Sequence, residues 1–211
     1  MGKFARIIWI IIFLFIGVNL FAQDFEPIVK LKIAKGKDRA ECSGVVIGED
    51  TKNYYILSCE HLFFKIKNPQ YTITSIYTDN GEIISVDMRC KLIKSDEGYD
   101  LSYFSVNKVD SVKIKPLQLA TSNLLKNSKA SAFGFVQDEL GLVKTDLIIE
   151  SYDETRSQTG VWLLKCNGPV ITGMSGGPLI ANNEVHGILS TGTNTYGTFV
   201  PAFECHNFLK K

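Results

Sequence analysis

The chain has 211 residues, enough for one domain or two small, closely packed ones. Hydrophobic residues make up 45% and charged residues 21%, a balance that fits a globular protein with a substantial core and excludes a disordered or fibrous one. The formal net charge is +1, and with residues 1–22 set aside 21 basic residues face 22 acidic ones, so the chain offers no electrostatic footprint for nucleic acid or an anionic membrane.

At the N-terminus, Lys3 and Arg6 precede an apolar run of twelve residues, Ile7 to Val18, followed by Asn19-Leu20-Phe21-Ala22. This is signal-peptide anatomy, with cleavage expected after Ala22, although Leu20 stands where a small residue is preferred. The alternative, an uncleaved membrane anchor, needs about 20 apolar residues. The chain is therefore expected to be exported, with no membrane contact beyond the signal segment.

From residue 23 onward, short runs rich in Val, Ile, Tyr, Phe and Thr alternate with turn residues. A first set of predicted strands covers 28–34, 43–48, 54–59, 71–77, 82–88 and 101–107, with Asp79-Asn80-Gly81 as a tight-hairpin signal. Residues 113–120 read as a connection. A second set covers 129–136, 142–150, 160–166, 178–181, 185–191 and 198–200, with Asn182-Asn183 as a turn. Twelve strands at this spacing predict an all-β protein built as barrels or a sandwich. Residues 201–211 read as one short helix with Phe203 and Phe208 on its docking face. There is no low-complexity segment and no internal repeat.

The five cysteines, Cys42, Cys59, Cys90, Cys166 and Cys205, show no C-x-x-C spacing, so neither a zinc site nor a redox motif is indicated. They read equally as partners in bridges, with one left over, or as small buried hydrophobes.

The chemistry concentrates in Gly173-Met174-Ser175-Gly176-Gly177-Pro178. A Gly-x-Ser-x-Gly skeleton serves two unrelated contexts. One is the strand-to-helix nucleophile elbow, which places its acid and histidine after the serine. Here Gly176-Gly177-Pro178 obstructs a helix, and residues 176–211 contain no aspartate. The other is a loop whose glycines turn the backbone so that two N–H groups face a developing oxyanion. That loop follows a histidine and an aspartate in the chain. Three histidines exist. His61 ends the predicted strand Tyr-Ile-Leu-Ser-Cys-Glu-His. His186 lies inside a strand and reads as a packed or surface side chain, and His206 as an exposed helix residue. Asp100 stands directly before the alternating strand Leu-Ser-Tyr-Phe-Ser-Val, whereas Asp96 sits in a polar loop and reads as solvated.

With His61, Asp100 and Ser175 in this order, the chain resembles the trypsin-like (chymotrypsin-fold) serine proteases, of the bacterial exported type without a PDZ domain. The resemblance spans residues 28–201. It implies two six-stranded antiparallel β-barrels and a short C-terminal helix, with residues 1–22 as signal peptide, 23–115 as the N-terminal barrel and 116–211 as the C-terminal barrel plus helix. It implies His61 as general base and acid, Asp100 as its orienting partner, Ser175 as nucleophile, and the backbone N–H groups of Gly173 and Ser175 as oxyanion hole. His61 Nε2 is expected within hydrogen-bond reach of Ser175 Oγ. Ser190 matches a serine that hydrogen-bonds the aspartate. Thr191 and Gly192 match the edge that pairs with substrate backbone, and residues 43–47 the strand that backs the histidine. The substrate is a peptide or protein, with no metal or cofactor required.

Departures from the family pattern carry information. Met174 replaces the aspartate that pairs with a new N-terminus after zymogen cleavage, so no such switch is expected. Cys59 and Glu60 replace two small residues, and Glu60 either faces solvent or crowds the site. Pro169 falls near the floor of the primary pocket, where an acid confers basic-residue specificity, and Leu189 stands where glutamate-specific members carry a histidine. A small or apolar side chain is therefore expected in the pocket. Besides an active endopeptidase, two readings stay open: an inactive pseudoprotease that binds peptide or protein partners, and an esterase on the same barrels.

Overall fold

The computed structural model describes residues 27–62, 66, 68–77, 82–136, 141–153 and 160–211. The expected signal peptide and the Asp79-Asn80-Gly81 turn lie outside these residues.

Six antiparallel strands close the first barrel: β1 (Ile28–Lys35), β2 (Asp38–Glu49), β3 (Asn53–Ser58), β4 (Gln70–Tyr77), β5 (Ile83–Asp96) and β6 (Leu101–Asn107), in the order β1-β2-β3-β6-β5-β4. After β7 (Gln118–Leu119) come β8 (Lys129–Phe135), β9 (Leu142–Asp153), β10 (Leu163–Asn167), β11 (Pro178–Ala181), β12 (Glu184–Gly192) and β13 (Tyr196–Pro201). These last six run in the order β11-β8-β9-β10-β13-β12, and the β11–β12 pairing closes the second barrel. The fold is the expected pair of six-stranded antiparallel barrels.

The strand patterns explain three apolar clusters. In β1, alternate residues Val29, Leu31 and Ile33 point into the first barrel beside Val46, Ile56 and Phe104. Ala132, Leu147, Leu164 and Phe199 fill the second barrel. Between the barrels, the outward faces of both meet: Val45, Leu57 and Leu101 from the first, Val185, Ile188 and Val200 from the second. Strands buried on both faces read as continuous apolar runs, which is why 43–48 and 185–191 lack clean alternation.

The C-terminal helix, α1 (Ala202–Lys210), starts behind Pro201, whose extended φ of −70° and missing N–H suit a helix boundary. Cys205 and Phe208 dock into the inter-barrel cluster. Phe203 is only half-buried, against Tyr152 with ring centroids 6.3 Å apart. His206, expected to be exposed, is half-buried and donates from Nε2 to the Ala120 carbonyl at 3.2 Å. Asn182 and Asn183 form the predicted turn with φ of 52° and 62°.

Two strands of the first barrel far outrun their predicted bounds. β2 begins at Asp38 and β5 continues to Asp96. In β5 the inward set Val86, Met88, Cys90 and Leu92 keeps the two-residue period, while exposed Asp87, Arg89 and Lys91 hide it from a reading based on β-branched content. Strand β7 lies in the segment read as a connection. Two residues are too few to show a period, and β7 exists through its parallel pairing with Glu184 and Val185 of β12.

All five cysteines are free, and only Cys90 is not fully buried. Of their two readings, the structure has the small buried hydrophobe. Burial pushes the Cys90 and Cys166 thiols up to about 12, which keeps them protonated and inert.

Candidate active site

Asp100 closes the turn between β5 and β6. Its φ of +53° is a conformation that aspartate tolerates better than most residues. The turn aims the carboxylate at the end of β3. Oδ1 accepts the backbone N–H groups of Glu60 at 3.0 Å and His61 at 2.8 Å. His61 Nδ1 lies 3.0 Å from both carboxylate oxygens. Because the carboxylate only accepts, Nδ1 carries the proton and Nε2 presents its lone pair. From the second barrel, Ser190 Oγ donates to Asp100 Oδ2 at 2.5 Å. Asp96, the competing acid, accepts the N–H groups of Gly98 and Tyr99 in its own turn and does not reach His61.

His61 is 37% exposed at its side chain and lines a cleft of about 450 Å³ between the barrels. Ser175, Gly173, Ser190, Thr191 and Gly192 line the same cleft. Among the described residues, no hydrogen bond joins the His61 imidazole to the Ser175 hydroxyl. The expected closeness is thus met only to the extent that both side chains face one cavity.

The serine loop is held from three directions. Ser43 N–H donates to the Ser175 carbonyl at 2.8 Å, and Gly176 N–H to the Leu189 carbonyl at 2.8 Å. The buried Ser43 hydroxyl accepts Phe135 N–H at 2.8 Å and donates to the Gly173 carbonyl at 3.0 Å. Met174 is fully buried in the second-barrel cluster, and its sulfur accepts Ile171 N–H at 3.4 Å. Gly176 has to be glycine: its φ is +80°, and a Cβ would sit 2.3 Å from the Ser43 carbonyl oxygen. Gly173 has φ +100°. Among the described residues, the N–H groups of Gly173 and Ser175 have no acceptor, and both residues face the cleft.

The family profile of the trypsin-like peptidase domain matches residues 42–188, well over half of the chain. The chain belongs to the trypsin-like peptidase family. Among solved structures, the active form of the Rv3671c protease from M. tuberculosis superposes with a TM-score of 0.69 at 17% identity, covering 90% of this chain and 82% of the other. Deg5 gives 0.70 at 18% identity with 90% of each chain covered. The serine endoprotease from Yersinia pestis gives 0.66 at 21% identity, covering 91% of this chain and 65% of that one. At these identities the superpositions speak for the fold. No curated protein matches the chain by sequence.

Within this trypsin-like fold the remaining expected residues fall as follows. Glu60 is half-buried and does not line the cleft, so it does not crowd it. Its partial burial, with Asp100 and Glu97 nearby, pushes its carboxyl above the ordinary glutamate range. Pro169, expected at the pocket floor, is exposed and absent from the cleft lining; its neighbour Val170 lines the cleft instead. His186 is packed inside, 4% exposed, with Nε2 lacking a partner among the described residues. Sequence reasoning also missed the Ser43 hydroxyl, whose two partners lie 92 and 130 residues away. Glu41, too, lines the cleft and pairs with Lys30 at 3.0 Å.

Proposed function

We propose that the protein is an exported serine endopeptidase that cleaves peptide bonds through a His61–Asp100–Ser175 triad. His61 Nε2 takes the Ser175 hydroxyl proton as Oγ attacks the scissile carbonyl. The N–H groups of Gly173 and Ser175 hold the tetrahedral oxyanion. His61 then passes its proton to the leaving amine, and an acyl-ester remains on Ser175. Water repeats the sequence through the same base and releases the acid. Asp100 keeps the imidazole in the required tautomer and stabilises the imidazolium. Thr191 and Gly192 present the strand edge to substrate backbone. The apolar anchoring of Met174 supports a loop that forms without a cleaved N-terminus.

The observation that carries this reading is the Asp100 carboxylate, which takes two backbone N–H groups, the His61 imidazole and the Ser190 hydroxyl on a cleft that Ser175 also lines. One observation favours the alternative, a peptide-binding pseudoprotease: the missing hydrogen bond between His61 and Ser175. Such bonds often tighten only when substrate binds. A fluorophosphonate probe separates the two. The intact protein at neutral pH is expected to take one label at Ser175, and Ser175→Ala none. An unlabelled wild type sinks the endopeptidase reading. Comparing peptide with ester substrates then tests the esterase alternative.

A further inference from the structure

The segment that precedes the serine loop and the end of β12 line the cleft that Ser175 also lines, and there the family resemblance places the primary pocket. Here those two walls are zipped together. Gly168 N–H donates to the Thr195 carbonyl and Val170 N–H to the Thr193 carbonyl, both at 2.9 Å. The side chain of Val170 occupies the space between them. A Cβ on Gly192 would lie 2.0 Å from one Val170 methyl, and a Cβ on Gly197 would lie 3.0 Å from the other. The two glycines thus leave a gap that the valine already fills. Behind it the space is also taken. The same Cβ on Gly197 would lie 2.9 Å from the Phe199 ring, and Leu189 is only 2% exposed. Val170 itself is 6% exposed and packs in one cluster with Leu189, Phe199 and Met174. Among the described residues, no charged side chain reaches this slot: the titratable groups that line the cleft are His61 and Glu41, and Glu41 is paired with Lys30.

We propose that Val170 sets substrate specificity by filling the primary pocket, so that the residue on the acyl side of the scissile bond is glycine, alanine or serine. The proposal rests on the endopeptidase reading and narrows it. A large side chain must displace a buried isopropyl group wedged against backbone on two sides. A charged one finds no counter-charge and loses its hydration. A difference of a single methylene in an apolar pocket is worth about 10–200-fold in kcat/KM, and Phe exceeds Ala by far more than that.

The test is a peptide-library cleavage profile of wild type, Val170→Ala and Val170→Thr, with a thermal melt for each. Wild type is expected to favour Ala over Phe at the acyl-side position by at least about 100-fold. Val170→Ala should lower that ratio at least about tenfold by raising the rate on Leu and Met, while Val170→Thr, which keeps the volume, should preserve it. Equal cleavage after Ala and Phe by wild type overturns the proposal. So does a profile that Val170→Ala leaves unchanged. Binding of peptides with Ala or Phe at that position to Ser175→Ala reads the slot without turnover. A wild type that binds Ala peptides selectively but neither cleaves nor takes the phosphonate label overturns the endopeptidase reading alone, whereas indifferent binding overturns the role of Val170.

Discussion

Ser43→Ala isolates the support of the loop proposed to hold the oxyanion. The hydroxyl it removes bridges Phe135 N–H and the Gly173 carbonyl, at 2.8 and 3.0 Å. Phe135 is 1% exposed, so its N–H stays dry after the substitution and costs about 1–3 kcal/mol as an unsatisfied buried group. For a protein of this size, Tm should fall by about 2–4 °C for each kcal/mol. The Gly173 carbonyl has a different fate. It borders the cleft, and the backbone at φ +100° carries no Cβ to resist rotation. Without the hydroxyl, the Gly173–Met174 peptide is held, among the described residues, only through Met174 N–H to the Ile171 carbonyl at 3.1 Å. A shift of that peptide tilts the Gly173 and Ser175 N–H groups on either side of it, so that their alignment toward the oxyanion is lost for part of the time. Complete loss of one oxyanion donor costs about 10²–10³ in kcat, so partial loss should cost about tenfold or more, up to that limit. The interaction is made to the transition state, so kcat should fall with KM little changed. Steady-state kinetics on one peptide, normalised to phosphonate-titratable sites, gives the split. A variant that melts earlier but keeps wild-type kcat refutes the reasoning, because it would show the hydroxyl to be a strut between β2 and β8 alone.

Two further outcomes concern stability. Burial lowers the pKa of His186 from its ordinary 6.5, with Glu184 opposing in part. The unfolded chain therefore takes the proton first, and the stability tied to neutral His186 is complete above pH 6.5 and lost as pH falls below it. His186→Leu should flatten the decline of Tm between about pH 7 and 5; an unchanged slope means that other groups carry it. Phe208→Ala removes a fully buried ring from the inter-barrel cluster, where Lys94 lies 4.7 Å above it. It should cost about 3–5 kcal/mol in urea unfolding while leaving kcat per folded molecule within about twofold, since the cluster that holds the ring contains none of the residues that line the cleft. A loss below about 1 kcal/mol would show that α1 does not tie the barrels together.

The proposed triad, His61, Asp100 and Ser175, could be picked out in the sequence because each is flagged by its own neighbours: a histidine at a strand end, an acid directly before an alternating strand, a serine among glycines ahead of Pro178. The Ser43 hydroxyl has no such flag. Its two hydrogen bonds span 92 and 130 residues and depend on how β2 meets β8 and the serine loop. Strand β7 likewise owes its existence to a partner, not to its two residues.

The slot proposed above lies one residue from the position that the resemblance picked out. Pro169 and Val170 are neighbours in the chain, yet one is exposed and the other buried. Pro169 faces solvent and Val170 faces the slot. Motif matching fixes which segment forms the wall but not which of two adjacent residues faces inward, because a one-residue slip exchanges the two faces completely. The hydrogen bonds from Gly168 to Thr195 and from Val170 to Thr193 hold this wall against the turn between β12 and β13. Held there, Val170 is the residue whose two methyls meet the open faces of Gly192 and Gly197, so it, and not Pro169, fills the gap.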